Sequence, residues 1–233
     1  ALSRAVRSGT FTGDTSLDTG LLPDPGEPPW VSDTGQLRWN PDDGFFTVST
    51  PRFAGAAGFL EDNGGLRAGD MTVVSASGFA ALTWITLTDS PLSTTPRSLI
   101  TFSTRTQNTL MEWDGIHTLH NQWGRPPTVM EPGRCTLRLA VDADSIRVFP
   151  LNETGGGKGT SALYSGRDDN LFEIVLDQGA GRSVWYGIEA YGDSVDNEEP
   201  GPESVPFLRV SGNYPNPVSL KAGTGGTAVQ IFL

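Results

Sequence analysis

The sequence predicts an all-β fold, a sandwich of two antiparallel sheets with jelly-roll or Greek-key connections and little helix. Three observations carry this expectation. Glycine and proline, 29 and 17 of 233 residues, punctuate the chain too often for long helices. Hydrophobic residues make up 36%, enough to fill a core. Short runs rich in β-branched and aromatic residues recur at close intervals, while no window sustains the helical apolar period of about 3.6 residues.

Taken in order, an entering strand is expected within 1–13, where Ala5-Val6-Arg7 and Thr10-Phe11-Thr12 stand. A loop rich in Pro, Gly and Asp follows over 14–29. Strands at 35–39 and 45–50 then form a hairpin about the turn Pro41-Asp42-Asp43-Gly44. Further strands are predicted over 56–60, 71–75, 80–88, 98–104, 110–113, 128–130, 135–141, 145–151, 171–176 and 183–190. Residues 73–77 and 79–87 carry the β-branched and aromatic side chains that a half-buried pleated surface requires. Asp142-Ala143-Asp144 reads as a tight hairpin turn, and 152–159 as a flexible loop. Residues 192–206 hold five acids, no base and three prolines, the composition of a solvated linker. The division expected is therefore a sandwich over 1–191, a linker over 192–206 and a separate segment over 207–233.

The net charge of −11 and a pI near 4.5 argue against a nucleic-acid partner. Phosphate binding wants clustered cations, and Lys158 and Lys221 are the only lysines. A neutral polysaccharide suits this charge better than a polyanionic one. No apolar run reaches the roughly 20 residues of a membrane helix, so no membrane insertion is expected. No secretory leader stands at Ala1, as expected of a processed or excised chain. The single cysteine, Cys135, excludes an internal disulfide. It lies in the alternating run Arg134-Cys135-Thr136-Leu137-Arg138-Leu139, which predicts a buried, inert thiol.

The hairpin Ser32-Asp33-Thr34-Gly35-Gln36-Leu37-Arg38-Trp39-Asn40, running on to Phe46-Thr47-Val48-Ser49-Thr50-Pro51-Arg52, resembles one in a β-sandwich domain that follows the catalytic barrel of many bacterial cellulase-like glycoside hydrolases. The resemblance covers roughly residues 27–191. Its further anchors are Gly58-Phe59, Gly69-Asp70-Met71-Thr72-Val73 with the strand Ala80-Ala81-Leu82-Thr83-Trp84-Ile85-Thr86-Leu87, and Leu99 to Thr104. Gln107-Asn108-Thr109-Leu110-Met111-Glu112-Trp113, Trp123-Gly124-Arg125-Pro126-Pro127-Thr128-Val129-Met130-Glu131-Pro132 and Val184-Trp185-Tyr186-Gly187-Ile188 complete the series. Gln107 stands where the pattern usually has Glu, and Leu110 where it has Gly. In that family the catalytic acid and nucleophile belong to the barrel, which this chain begins too late to contain. The resemblance thus implies a non-catalytic accessory module, secreted or at the cell surface, whose partners are a polysaccharide or oligosaccharide and the catalytic domain of the parent enzyme. Asn213-Tyr214-Pro215-Asn216-Pro217, with 225–233 after it, resembles the start of the C-terminal sorting domain used by type IX secretion. Val218 replaces the common Phe, and the chain stops after what would be the first strand. An isolated strand cannot fold alone, so these residues are expected to pack on the sandwich or trail from it.

Catalysis by the chain itself has weaker support. Glycoside hydrolysis needs two carboxyls about 5–9 Å apart across a sugar. No such pair is spaced along one strand face, and Glu112 and Glu131, the best-placed acids, read as partners of loop amides or of Arg125. A lyase would need His117, His120 and Arg125 to converge. His117 and His120, the only histidines, match no zinc spacing, so no cofactor is expected. Asp42-Asp43 and Asp168-Asp169-Asn170 offer oxygens to a structural calcium ion but match no calcium loop and read as turn residues.

Sugars are held by aromatic faces stacked on their C–H patches and by polar side chains that fix their hydroxyls. Of the six tryptophans, Trp84 reads as core and Trp39 as structural. Trp185 and Tyr186 face opposite sides of one strand, so one is expected inside and the other against the barrel. The best ligand-binding candidate is the loop from Trp113 to Arg125, where Trp113 and Trp123 are interleaved with His117, His120, Asn121 and Gln122. The competing reading is that the two tryptophans pin this loop to the sandwich. Trp30, after Pro28-Pro29, is a second candidate.

Overall fold

The computed structural model describes residues 26–115, 118–166, 170–193 and 195. The chain enters through a meander of four strands, β1 (Trp30–Val31), β2 (Leu37–Asn40), β3 (Phe45–Thr50) and β4 (Phe53–Phe59). It crosses to a facing layer for β5 (Leu66–Ala68) and β6 (Met71–Ala76), then returns for β7 (Phe79–Thr86) and β8 (Arg97–Ser103). A separate two-stranded ribbon follows, β9 (Thr106–Thr109) with β10 (Arg125–Met130). The remaining strands are β11 (Arg134–Ala140), β12 (Ser145–Pro150), β13 (Ala162–Ser165), β14 (Leu171–Asp177) and β15 (Trp185–Tyr191). One turn of helix, α1 (Gln178–Gly181), caps β14.

Nine strands form one sheet in the order β1-β2-β3-β4-β7-β8-β15-β12-β13, and four form the other as β14-β11-β6-β5. The strand pairings are antiparallel. The fold is thus an all-β sandwich. From β11 onward the chain alternates between layers, to β12, then from β13 to β14, then to β15. Asp142-Ala143-Asp144 is part of that traffic: it carries the chain from one sheet to the other and closes no hairpin. Its amides are taken by other segments, Asp142 N–H by the Ser93 carbonyl and Asp144 N–H by that of Tyr191.

Alternation places the core. In β11 the buried side chains are Cys135, Leu137 and Leu139; in β14 they are Phe172, Ile174 and Leu176. They meet Leu82, Trp84, Ile100, Phe102, Ile146 and Ile188 from the nine-stranded sheet. Each such side chain removed from water contributes about 1.5–3 kcal/mol. Burial pushes the Cys135 thiol up to about 12, so it stays protonated and unreactive. Val195 also lies in this core.

Several predicted strands begin or end elsewhere, for local reasons. Gly35, at φ 70°, belongs to the turn before β2. Residues 110–113 are not a strand, because Leu110 at φ 60° turns the chain out of the ribbon directly after Thr109. The short strands β1, β5 and β13 carry too few alternating residues to register as sequence signals. The segment over 1–13, residues Asp168 and Asp169, His117 and the span 207–233 lie outside the described residues.

One buried polar side chain ties the layers together. Gln178 Nε2 donates to the Phe102 carbonyl at 2.7 Å, and its Oε1 accepts the Gly133 amide at 2.9 Å. The end of β8, the start of β11 and α1 therefore share one bolt, and the ribbon springs from beside it.

Candidate functional site

The β9–β10 ribbon is the base of an arm formed by residues 104–131. Thr104 Oγ1 donates to the Glu131 carbonyl, and the Glu131 amide donates to the Arg105 carbonyl at 2.9 Å, closing the arm at its root. Along the ribbon Thr109 pairs with Arg125 and Asn108 with Thr128, with a bulge at Pro126-Pro127. Asn108 fixes the next turn: its Nδ2 donates to the Trp123 carbonyl at 3.0 Å while its Oδ1 accepts Thr128 Oγ1 at 2.8 Å. Above it the strands are re-paired through Glu112 N–H to the Gln122 carbonyl (3.1 Å) and Asp114 N–H to that of Thr118 (2.7 Å).

This scaffold presents Trp113 and Trp123 to solvent, at 51% and 61% exposure. Neither ring makes an aromatic contact among the described residues. Asn121, Gln122 and Arg125 are also exposed, so the arm carries donors and acceptors as well as the tryptophans. His120 lies on the same arm but is engaged: its Nε2 is 2.8 Å from Asp114 Oδ2. Trp30 is elsewhere. It sits on β1 at the edge of the large sheet, five strands from β8, roughly 24 Å along the sheet at about 4.8 Å per strand. There its ring meets Trp39 edge-on at 5.1 Å and its indole N–H donates to the Gly26 carbonyl.

Leu110 holds a left-handed backbone. A φ of 60° suits glycine and strains leucine by roughly 1–2 kcal/mol. Leu110→Gly is expected to tighten the arm by up to about 1 kcal/mol once glycine's entropy is counted. Slower amide hydrogen exchange at Glu112 and Asp114 is the expected result; faster exchange would contradict it.

At the arm's root a cleft of about 290 Å³ is lined by Val129 and Met130 together with Trp185, Glu153, Lys158 and Arg182. Trp185 is half-buried and points outward, while Tyr186 points inward and is 4% exposed, the opposition expected for this strand. Burial pushes the Tyr186 phenol above its ordinary value.

Glu131 lies 3.9 Å from Arg105, not Arg125, and both side chains are exposed. Glu112 contributes its backbone to the arm. Asp43 serves its turn, accepting Asn40 Nδ2 and donating its amide to Asn40 Oδ1, and Asn170 donates to Asp142. No cluster of three or more His, Cys, Asp or Glu side chains capable of holding a metal occurs among the described residues, and no helix among them is long and apolar enough to cross a membrane.

Sequence reasoning missed the outer face of the large sheet. Trp39, Phe46, Ala57 and Ala81 follow one another in register across β2, β3, β4 and β7. Phe59 and Phe79 are paired beside them, edge-on at 5.4 Å and 57% and 52% exposed. Trp39, expected to be structural, is half exposed here. The signal was present in strands apolar at both parities, such as Phe45-Phe46 and Phe79-Ala80-Ala81-Leu82. No protein-family model matches the chain, and neither a curated protein nor a solved structure does.

Proposed function

We propose that this chain is a non-catalytic carbohydrate-binding module of a secreted bacterial polysaccharide-degrading enzyme, and that the arm holds a neutral plant-type or β-glucan polysaccharide. The observation that carries this reading is the exposure of Trp113 and Trp123 on a backbone fixed by Asn108 and by paired amides. Two indoles left in water on a hydrogen-bonded ribbon, with Asn121, Gln122 and Arg125 on the same arm, supply stacking faces and hydroxyl partners together. Holding polysaccharide there raises its effective concentration at a linked catalytic domain.

Affinity gel electrophoresis against soluble β-glucans, xyloglucan, xylan and mannans tests this. One of these glycans is expected to retard the protein, with Trp113→Ala and Trp123→Ala each weakening binding about tenfold or more, ~1.4 kcal/mol. No retardation by any glycan, or retardation indifferent to both variants, would sink the proposal. The apolar outer face of the large sheet favours a second reading, a structural sandwich that packs on a catalytic barrel. Exposed patches of this kind mark docking surfaces, and failure of the arm variants would move the reading there.

A further inference from the structure

A cavity of about 350 Å³ lies between β12 and β13 of the large sheet and β14 and α1 of the small one, away from the arm's tryptophans. Its walls are mainly apolar, with Val148, Pro150, Tyr164 and Val175 among them. At its inner end stands Tyr186, whose hydroxyl is buried and has no hydrogen-bond partner among the described residues. Buried polar groups are almost always paired, and an unpaired one is destabilising. The hydroxyl is therefore either a defect or half of an interaction completed by a ligand.

The surrounding polar groups define that ligand. Asp177 bears a carboxylate, with one oxygen accepting the Ala180 amide at 3.1 Å. Opposite in sign are Lys158, whose Nζ donates to the Arg182 carbonyl at 2.9 Å, and Arg182 itself. Each keeps unused bonding capacity. An anion would face Asp177 and a cation would face Lys158 and Arg182, so the site favours an uncharged group carrying donors and acceptors about an apolar body. A pyranose ring has that character. The volume is at the low end of small-molecule sites, about 300–1,000 Å³, which suits one sugar residue and not a chain.

We propose that this cavity binds the terminal sugar residue of a neutral glycan, with the Tyr186 hydroxyl hydrogen-bonded to one of its hydroxyl groups. The choice of ligand class rests on the carbohydrate-binding reading above; the cavity and its unpaired phenol do not. Gly181 covers the phenol, and a Cβ there would lie 3.5 Å from both Tyr186 Oη and Pro150 Cβ. The phenol is closed over as it stands, so a sugar hydroxyl reaches it only if the single turn of α1 yields, and a bulky side chain at Gly181 would add to what must move.

The full chain should be titrated with the methyl β-glycosides of glucose, xylose, mannose and galactose, with binding read by saturation-transfer NMR. At least one is expected to bind. Tyr186→Phe, which keeps the ring, should weaken that sugar about tenfold while melting no lower than wild type in its absence, since it deletes an unpaired group. Gly181→Leu should abolish binding by filling the approach; if it fails to fold, Tyr186→Phe decides alone. Binding of no glycoside, or equal binding by Tyr186→Phe, overturns the proposal. Polymer retardation lost in the Trp113→Ala, Trp123→Ala double variant while the methyl glycoside still binds would support two separate sites. Retardation by a polymer with no glycoside bound removes the cavity and leaves the arm. Glycoside binding sensitive to Tyr186→Phe without retardation does the reverse.

Discussion

Replacing Trp84 with alanine is expected to remove about 3–5 kcal/mol of stability, much of what a domain of this size holds. The indole is fully buried at the middle of β7, between Ala54 of β4 and Ile100 of β8. The alanine and glycine positions of β4 have no bulk with which to refill the space, so the surroundings cannot collapse. The loss is not only volume. Trp84 Nε1 donates to Ser98 Oγ at 2.9 Å, and Ser98 is itself buried. Truncation leaves that hydroxyl without its donor where water does not reach. Trp84→Phe separates the two effects, keeping most of the packing and losing the bond at a cost of about 1–3 kcal/mol. Urea denaturation of the two variants measures both; a loss below about 1 kcal/mol for the alanine would mean the sheets do not close over this ring.

Gly124→Ala is expected to abolish glycan retardation while the sandwich still unfolds as one cooperative unit. Gly124 has φ 70°, and a Cβ there would lie 2.4 Å from the Thr109 carbonyl oxygen, 2.6 Å from Met111 N and 3.0 Å from Leu110 C. These are backbone atoms and cannot swing aside. The arm must open between Leu110 and Trp123, carrying both tryptophans away from their fixed positions. Strain of about 1–3 kcal/mol falls on a segment held mostly by its own hydrogen bonds, so the global melting temperature should move little. Affinity electrophoresis and a thermal melt on the same sample test this; wild-type retardation by a folded Gly124→Ala protein would refute it.

The inward faces were legible in the sequence because strands such as 135–141 and 171–176 alternate strictly, and alternation is what burial on one face writes into a strand. The turn at Pro41-Asp42-Asp43-Gly44 was legible for the same local reason. Leu110 was not, since nothing in a leucine announces a left-handed backbone. Nor was the crossing at Asp142-Ala143-Asp144, because a turn residue does not reveal whether the next strand pairs with the last one or leaves for the other sheet. The tryptophans of the arm were found as residues, but their exposure depends on Asn108 and on pairing across the ribbon, which are long-range facts. The aromatic outer face stayed hidden because a strand apolar at both parities does not show which of its faces is the covered one, and the pairing that gathers Trp39, Phe46, Phe59 and Phe79 joins four separate strands. The unpaired Tyr186 hydroxyl is a property of neighbours from four different elements, and no window of sequence contains it.

The arm leaves and rejoins the sandwich at one closed root, where Thr104 and Arg105 meet Glu131 beside the Gln178 bolt. Nothing beyond that root is needed to complete either sheet. A different arm, longer or shorter, that began and ended on the same bonds would leave the body of the protein as it is. The arm and the body are in this sense separable: substitutions can accumulate on the tip without eroding the scaffold.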